Sequence, residues 1–413
     1  MEERTIRRVV VTGLGIVAPN GIGKQVFWHA TSQGISGIKP IERFSTAGLP
    51  VQVGGEISNF DVERYIERKL ANRTDRATHF AFAAVQEALE DGRVDLTRED
   101  ARRVGVVIAN TVGGVNRAYD QVEILYTRGP RAMSPFAAIS WLQVANVGQI
   151  SLRYGIQGYC KTPVNDLVGG LDALGLAFRA IRRGAADMVI AGGCEALLQP
   201  YMLRVMAQGA VCMVGDDPRA YRPFDRRAAG LLLAEGAGIC ILEDYEHALR
   251  RGAPVYGEIV GFGQNNDAHD LRAAPTGDKY YARAMSLALN EAHINSSEIG
   301  YVSLDGRALP AHDRMEVEAL YQTFGADAAR LPASVPRTML GHSFAAAGVL
   351  DTITALLSLD HRLIPPTINC EEVDPRYNLD LVRDEARPLS KNAVLLCGRS
   401  LTGANVALVV RSM

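Results

Sequence analysis

No stretch of this chain approaches the ~20 consecutive apolar residues of a membrane span. Met1 to Arg8 is charged and runs directly into a strand-like segment, so neither membrane insertion nor secretion is expected. Net charge is nearly absent, −2 with the signs mixed along the chain, which leaves no basic field to attract nucleic acid or an anionic membrane. Neither partner is expected. Cysteine is sparse: six residues (Cys160, Cys194, Cys212, Cys240, Cys370 and Cys397) lie far apart, with no C-x-x-C pair and no closely spaced histidine. That pattern argues against a metal site and a disulfide framework and fits a reducing cytoplasm. Pro/Ser-rich linkers, low-complexity tracts and long charge runs are missing too, which disfavours a flexible two-domain protein.

What is present is ordinary globular composition, 47% hydrophobic and 22% charged over 413 residues. Arg8 to Val17 reads as a buried strand breaking into a glycine-rich turn at Thr12-Gly13-Leu14-Gly15, with a helix to follow. Helical spacing of apolar residues marks 75–92, 168–184, 281–293 and 345–358. Short apolar runs at 104–109, 187–192, 237–242, 254–262, 300–304 and 393–397 predict buried strands. The interleaving predicts a layered α/β fold with sheets between helices. Strand-like openings near Val9 and Val255 suggest two pseudo-repeated halves, 1–253 and 254–413, in one compact unit. Thr12-Gly13-Leu14-Gly15 lacks the third glycine and the later acidic residue of a dinucleotide fingerprint. Thr111-Val112-Gly113-Gly114 lacks the Gly-Lys-Ser/Thr of a P-loop. Both read as turns.

Several separated stretches carry a stronger signal in combination. They are VVVTGLGIVAPNG from Val9, MSPF at 133–136, VGQISLRYGIQG at 147–158 and GGLDALGLAFRAIRRGAADMVIAGGCEA at 169–196. RPFD at 222–225, LLLAEGAG at 231–238, GHSFAAAG at 341–348 and IPPTIN at 364–369 complete the set. Together, and in this order, they resemble the β-ketoacyl synthase family, and the resemblance spans nearly the whole chain. It implies the thiolase-like αβαβα fold.

The same resemblance locates a degenerate site. Competent members place a cysteine where a strand turns into a helix, whose N-terminus favours the thiolate. Here that position is Leu167, which cannot form a thioester, and Cys160 lies seven residues earlier on the strand side. Members also use two histidines as donors to a thioester oxygen during decarboxylation. His342 matches the second, but the first is replaced by Asp305, whose carboxylate would repel an enolate. His312 falls in a neighbouring stretch and is expected at a surface or turn. A lysine five residues before the second histidine becomes Arg337, for which a structural pairing with Asp305 is expected. The gate sequence becomes Ser400-Leu401-Thr402-Gly403-Ala404-Asn405, with Leu401 at the gate position.

Loss of nucleophile, histidine, lysine and gate together implies a chain-length factor (ketosynthase-beta) of a type II polyketide synthase, inactive in condensation by itself. By resemblance it pairs with a cysteine-containing ketosynthase and shapes the tunnel for chains borne on an acyl carrier protein. No cofactor of its own is implied; phosphopantetheine arrives on the carrier. Interface and tunnel candidates fall in Thr111–Tyr126 and Met133–Val147: Asn116, Tyr119, Met133, Phe136 and Ala137. Alanine at 137, where many synthases carry a bulky aromatic, implies a roomy tunnel, although packing in a helix interface is an equal reading. Leucine at 167 departs from the glutamine common in aromatic-polyketide members, which leaves aromatic and polyene pathways both open. Malonyl-carrier-protein decarboxylation, another thiolase-like acyltransferase and a standalone acyl-binding scaffold are the alternatives.

Overall fold

The computed structural model describes residues 6–268 and 278–413. Its first half runs β1 (Val9–Ala18), α1 (Arg76–Asp91), β2 (Val104–Ala109), β3 (Cys160–Lys161), α2 (Gly169–Arg182), β4 (Met188–Ala196) and β5 (Glu235–Asp244). The second runs β6 (Gly257–Asn266), α3 (Asp278–Ala292), β7 (Ile299–Ser303), β8 (Pro332–Ser334), α4 (Ala347–His361), β9 (Ala393–Arg399) and β10 (Ala404–Arg411). The order strand, helix, two strands, helix, two strands therefore occurs twice.

Pairing repeats as well. One half-sheet is ordered β1-β5-β4-β2-β3 and the other β6-β10-β9-β7-β8, with the short strand Asp380–Leu381 beyond β8. In each, the first two neighbour pairs are antiparallel and the last two parallel. The half-sheets join where β1 meets β6 antiparallel, Val9 opposite Ile259 and Val11 opposite Gly257, which makes one continuous twelve-stranded sheet.

Burial explains the layering. Helices α2 and α4 lie between the half-sheets in a core with Val11, Ile16, Val189, Leu242, Leu396 and Leu408. Every residue of α4 from Ala347 to Leu359 is buried, as a helix covered on all sides requires. Helix α1 covers the outside of one half-sheet and α3, with Pro310–Phe324, the other. Five layers result, helix, sheet, helix, sheet, helix, as expected from the sequence.

Boundaries shift in understandable ways. The strand expected at 254–262 starts at Gly257 and continues to Asn266, and that expected at 187–192 continues to Ala196. The expected turn at Thr12-Gly13-Leu14-Gly15 is corrected: β1 runs straight through it with one register irregularity between Val11 and Gly13. Those glycines serve close approach, since a Cβ on Gly13 would stand 2.3 Å from the Ala88 carbonyl oxygen and one on Gly15 1.8 Å from that of Ala84. The helix follows only at Lys24–Ser32, after a short pairing of Gly21–Ile22 with β1. Gly113, by contrast, does sit in a bend at φ +66°, just before the helix Val115–Arg128. No helix among the described residues is long and apolar enough to cross a membrane.

Candidate functional site

The site forms where the two halves meet. From the first half, a single 3-10 turn, Asp166–Val168, leads into α2 and buries Leu167 to 2% exposure. The start of α2 presses on the second half, because a Cβ on Gly170 would lie 2.1 Å from the Ala345 carbonyl oxygen. Leu167 packs in an apolar cluster with Leu198, Leu203, Leu231 and Phe344, against which Leu401 also rests. A hydrocarbon plug thus occupies the place expected for sulfur. Cys160 sits on β3 with its Sγ 3.4 Å from Ser151 Oγ, away from that turn as expected.

The turn is anchored from beneath. Glu195, at the end of β4, is fully buried and accepts from Asn110 Nδ2 at 2.9 Å and from the Thr111 N–H at 3.1 Å. Burial pushes its carboxyl up to about 8. Thr111 Oγ1 in turn donates to the Asp166 carbonyl at 2.9 Å.

The second half supplies a buried ion cluster. Asp305, just past β7, accepts from Arg307 Nε at 2.8 Å and from Arg337 Nη1 at 2.7 Å, and Arg337 also pairs with Asp351 of α4 through Nη2, its Nε lying 3.1 Å from the same oxygen. Burial pushes the Asp305 carboxyl up, but the two guanidiniums outweigh it and hold it below the usual carboxylate range. Arg337 is therefore paired with Asp305, as the sequence suggested.

His342 is buried completely. Its Nδ1 accepts the Phe344 N–H at 3.1 Å, and Arg337 Nη1 stands 2.9 Å from Nε2. Burial, then the guanidinium, hold the ring well below its ordinary pKa and so uncharged. The cation occupies the direction from which a substrate oxygen would approach Nε2. His312 lies half-buried in the first turn of Pro310–Phe324, 3.4 Å from Arg307 Nη1, so it belongs to the outskirts of this cluster.

Behind it, Glu316 accepts the N–H groups of Asp305 and Gly306 at 2.8 and 3.0 Å, and Asp313 those of Phe224 and Arg307 at 2.9 and 3.1 Å. Both carboxyls are raised by burial, Asp313 to about 7. Arg307, Asp351, Glu316 and Asp166 were not singled out in the sequence. A charged residue in the first turns of the apolar-rich α4 was the available signal for Asp351.

The interface candidates fall on neighbouring elements. Asn116, in the helix Val115–Arg128, donates to the Ala196 carbonyl at 2.9 Å and accepts from Arg43 Nη1 at 3.2 Å, so its amide is engaged in holding that helix. The Tyr119 ring packs at a tilt against Tyr201, 5.0 Å between centroids. Arg73 lies over the Phe136 ring at 4.3 Å. Met133 is half-buried beyond a 3-10 turn, and half-buried Ala137 opens the helix Ala137–Trp141. Leu401 lies in the turn between β9 and β10.

Fold and comparisons together define a protein of the ketosynthase type. The chain belongs to the β-ketoacyl synthase family: the N-terminal domain model of that family matches residues 6–248 and the C-terminal one residues 256–371. It is 39% identical, over 98% of both chains, to the tetracenomycin polyketide synthase ketoacyl synthase beta subunit of Streptomyces glaucescens. Among solved structures it resembles the ishigamide ketosynthase/chain length factor, with TM-score 0.93 and 29% identity over 99% of this chain and 100% of that one. It also resembles a chain from a type II acyl-carrier protein in complex with its ketosynthase bound to the hexaketide, with TM-score 0.90 and 30% identity over 99% and 100% of the two chains.

Proposed function

We propose that this chain is the chain-length-factor (ketosynthase-beta) subunit of a type II polyketide synthase. It carries out no condensation itself and pairs with a cysteine-containing ketosynthase, shaping the tunnel in which a carrier-bound chain grows. The observation that carries this reading is the filled pocket: Leu167 is buried among hydrocarbon where a nucleophile is needed, and Arg337 neutralises Asp305 while standing against His342. Such a site has no nucleophile, and its histidine faces a guanidinium, which also speaks against malonyl decarboxylation by this chain alone.

A pairing surface supports the reading. The helices Val115–Arg128, Ala137–Trp141 and Ala145–Tyr154 expose Tyr126 at 84%, Leu152 at 80% and Trp141 at 59%, with Ile139 and Val144 beside them. Large apolar residues gathered on adjoining elements mark a protein interface. On this reading no cofactor resides in the chain; phosphopantetheine enters on the acyl carrier protein, and the pair works in the cytoplasm.

Co-expression with a cysteine-containing ketosynthase tests the proposal. A one-to-one complex that makes product, and a ketosynthase that loses product or length control without this chain, are expected. A partner that condenses normally alone would refute it, as would an acyl group found covalently on this chain.

A further inference from the structure

The Asp166 carboxylate joins two segments that are 235 residues apart in sequence. Its Oδ1 accepts the Leu401 N–H at 3.0 Å and also the Leu167 N–H, while Oδ2 accepts from the same Leu401 N–H at 3.1 Å and from Thr402 Oγ1 at 3.2 Å. The backbone is set up for this reach. Asp166 sits at φ +31°, in the left-handed region that aspartate tolerates better than bulkier residues, and its carbonyl is held by Thr111 Oγ1.

The loop on the far side is a preformed turn. Ser400 Oγ accepts the Thr402 and Ala404 N–H groups at 3.1 and 2.8 Å, the Ser400 N–H donates to the Ala404 carbonyl at 2.7 Å, and Gly403 lies at φ +87°. The Leu401 N–H and the Thr402 hydroxyl point instead to Asp166. With that backbone fixed, the Leu401 side chain rests on the cluster holding Leu167 and Phe344.

We propose that Asp166 is a positioning residue: its carboxylate latches the 400–403 turn onto the start of α2, seating Leu401 over Leu167 and keeping the former nucleophile position shut to acyl chains. A carboxylate taking N–H donors from both segments is a charge-assisted clamp, stronger than the neutral contacts around it. Every contact of this closure lies within the one chain.

Hydrogen exchange on the full-length chain tests it. Asp166→Ala should speed exchange of the Leu401 amide by roughly tenfold or more, and Asp166→Asn, which keeps shape but not charge, by less. Formate, a free carboxylate of the right size, should restore slow exchange in Asp166→Ala and leave the unsubstituted chain unchanged.

As a second readout, Leu167→Cys supplies a reporter thiol whose alkylation by iodoacetamide is followed on its own peptide. Adding Asp166→Ala should speed that alkylation by roughly tenfold, again reversed by formate. If Asp166→Ala fails to fold, Asp166→Gly takes its place in both comparisons, since it too leaves room for formate. Unchanged exchange and alkylation would overturn the latch, and so would a rise that formate does not reverse, because that would reflect general loosening and not loss of a carboxylate.

Discussion

Asp305→Ala probes the ion cluster most directly. Arg307 and Arg337 are each exposed by only 2%, and Asp305 bridges them at 2.8 and 2.7 Å. Without it, Arg337 keeps Asp351, but Arg307 keeps only the long contact to His312 and retains an Nη2 that is already unpaired. One uncompensated buried guanidinium costs about 3–5 kcal/mol. The folded pKa of Asp305 lies below its ordinary value, so its contribution is fully present above pH ~4 and lost only as pH falls through the folded value. A neutral-pH assay therefore measures all of it. The double variant Asp305→Leu/Arg307→Met removes charge and counter-charge together and should recover most of the loss, to within about 1.5 kcal/mol of the unsubstituted chain. The measurement is the urea midpoint at unchanged slope and fixed protein concentration. A single-variant cost below about 1 kcal/mol, or a double variant no better than the single, would refute the argument that Asp305 serves as the counter-ion.

Ala137→Trp in the reconstituted pair should shorten the product, and mass spectrometry showing unchanged length would assign Ala137 to packing alone. Trp141→Asp should weaken subunit association by at least roughly tenfold in a titration, because it places a charge in the exposed apolar face. Gly15→Val should destabilise by roughly 3 kcal/mol or more, as its Cβ would meet a backbone carbonyl that cannot swing away. Stability should fall between pH ~5 and ~7. Glu195 and Asp313, held near about 8 and about 7, keep protons that the unfolded chain releases above pH ~4, so stability falls as pH rises toward those values. His79, lowered by burial to about 4, refuses a proton that the unfolded chain takes below pH ~6.5, which offsets one of the two carboxyls but not both. Urea midpoints across this range check the curve, and a maximum on the alkaline side would contradict it.

The layered fold was readable because its central elements are rich in apolar residues on every side: β4 is buried throughout and α4 from Ala347 to Leu359, and such runs survive any choice of neighbour. Gly13 and Gly15 misled for a physical reason, since a glycine that permits a turn and a glycine that permits helix contact look alike until the helix is placed. At the site, Leu167, Asp305, Arg337 and His342 were legible by position in shared motifs. Their assembly was not, because Arg307 and Asp351 enter from separate elements and only burial shows that their charges must cancel. Asp166 was hidden for a related reason: its partners, Leu401 and Thr402, lie at the other end of the chain.

Strand β3 ends the sheet at Cys160–Lys161, hydrogen-bonded to β2 on one side alone. Two residues make a very short border, and one of them is a lysine, so this end of the sheet offers a passing extended polypeptide little to pair with. Exposed Leu152 and Val164 are then left to be covered by side-chain contact and not by added strands.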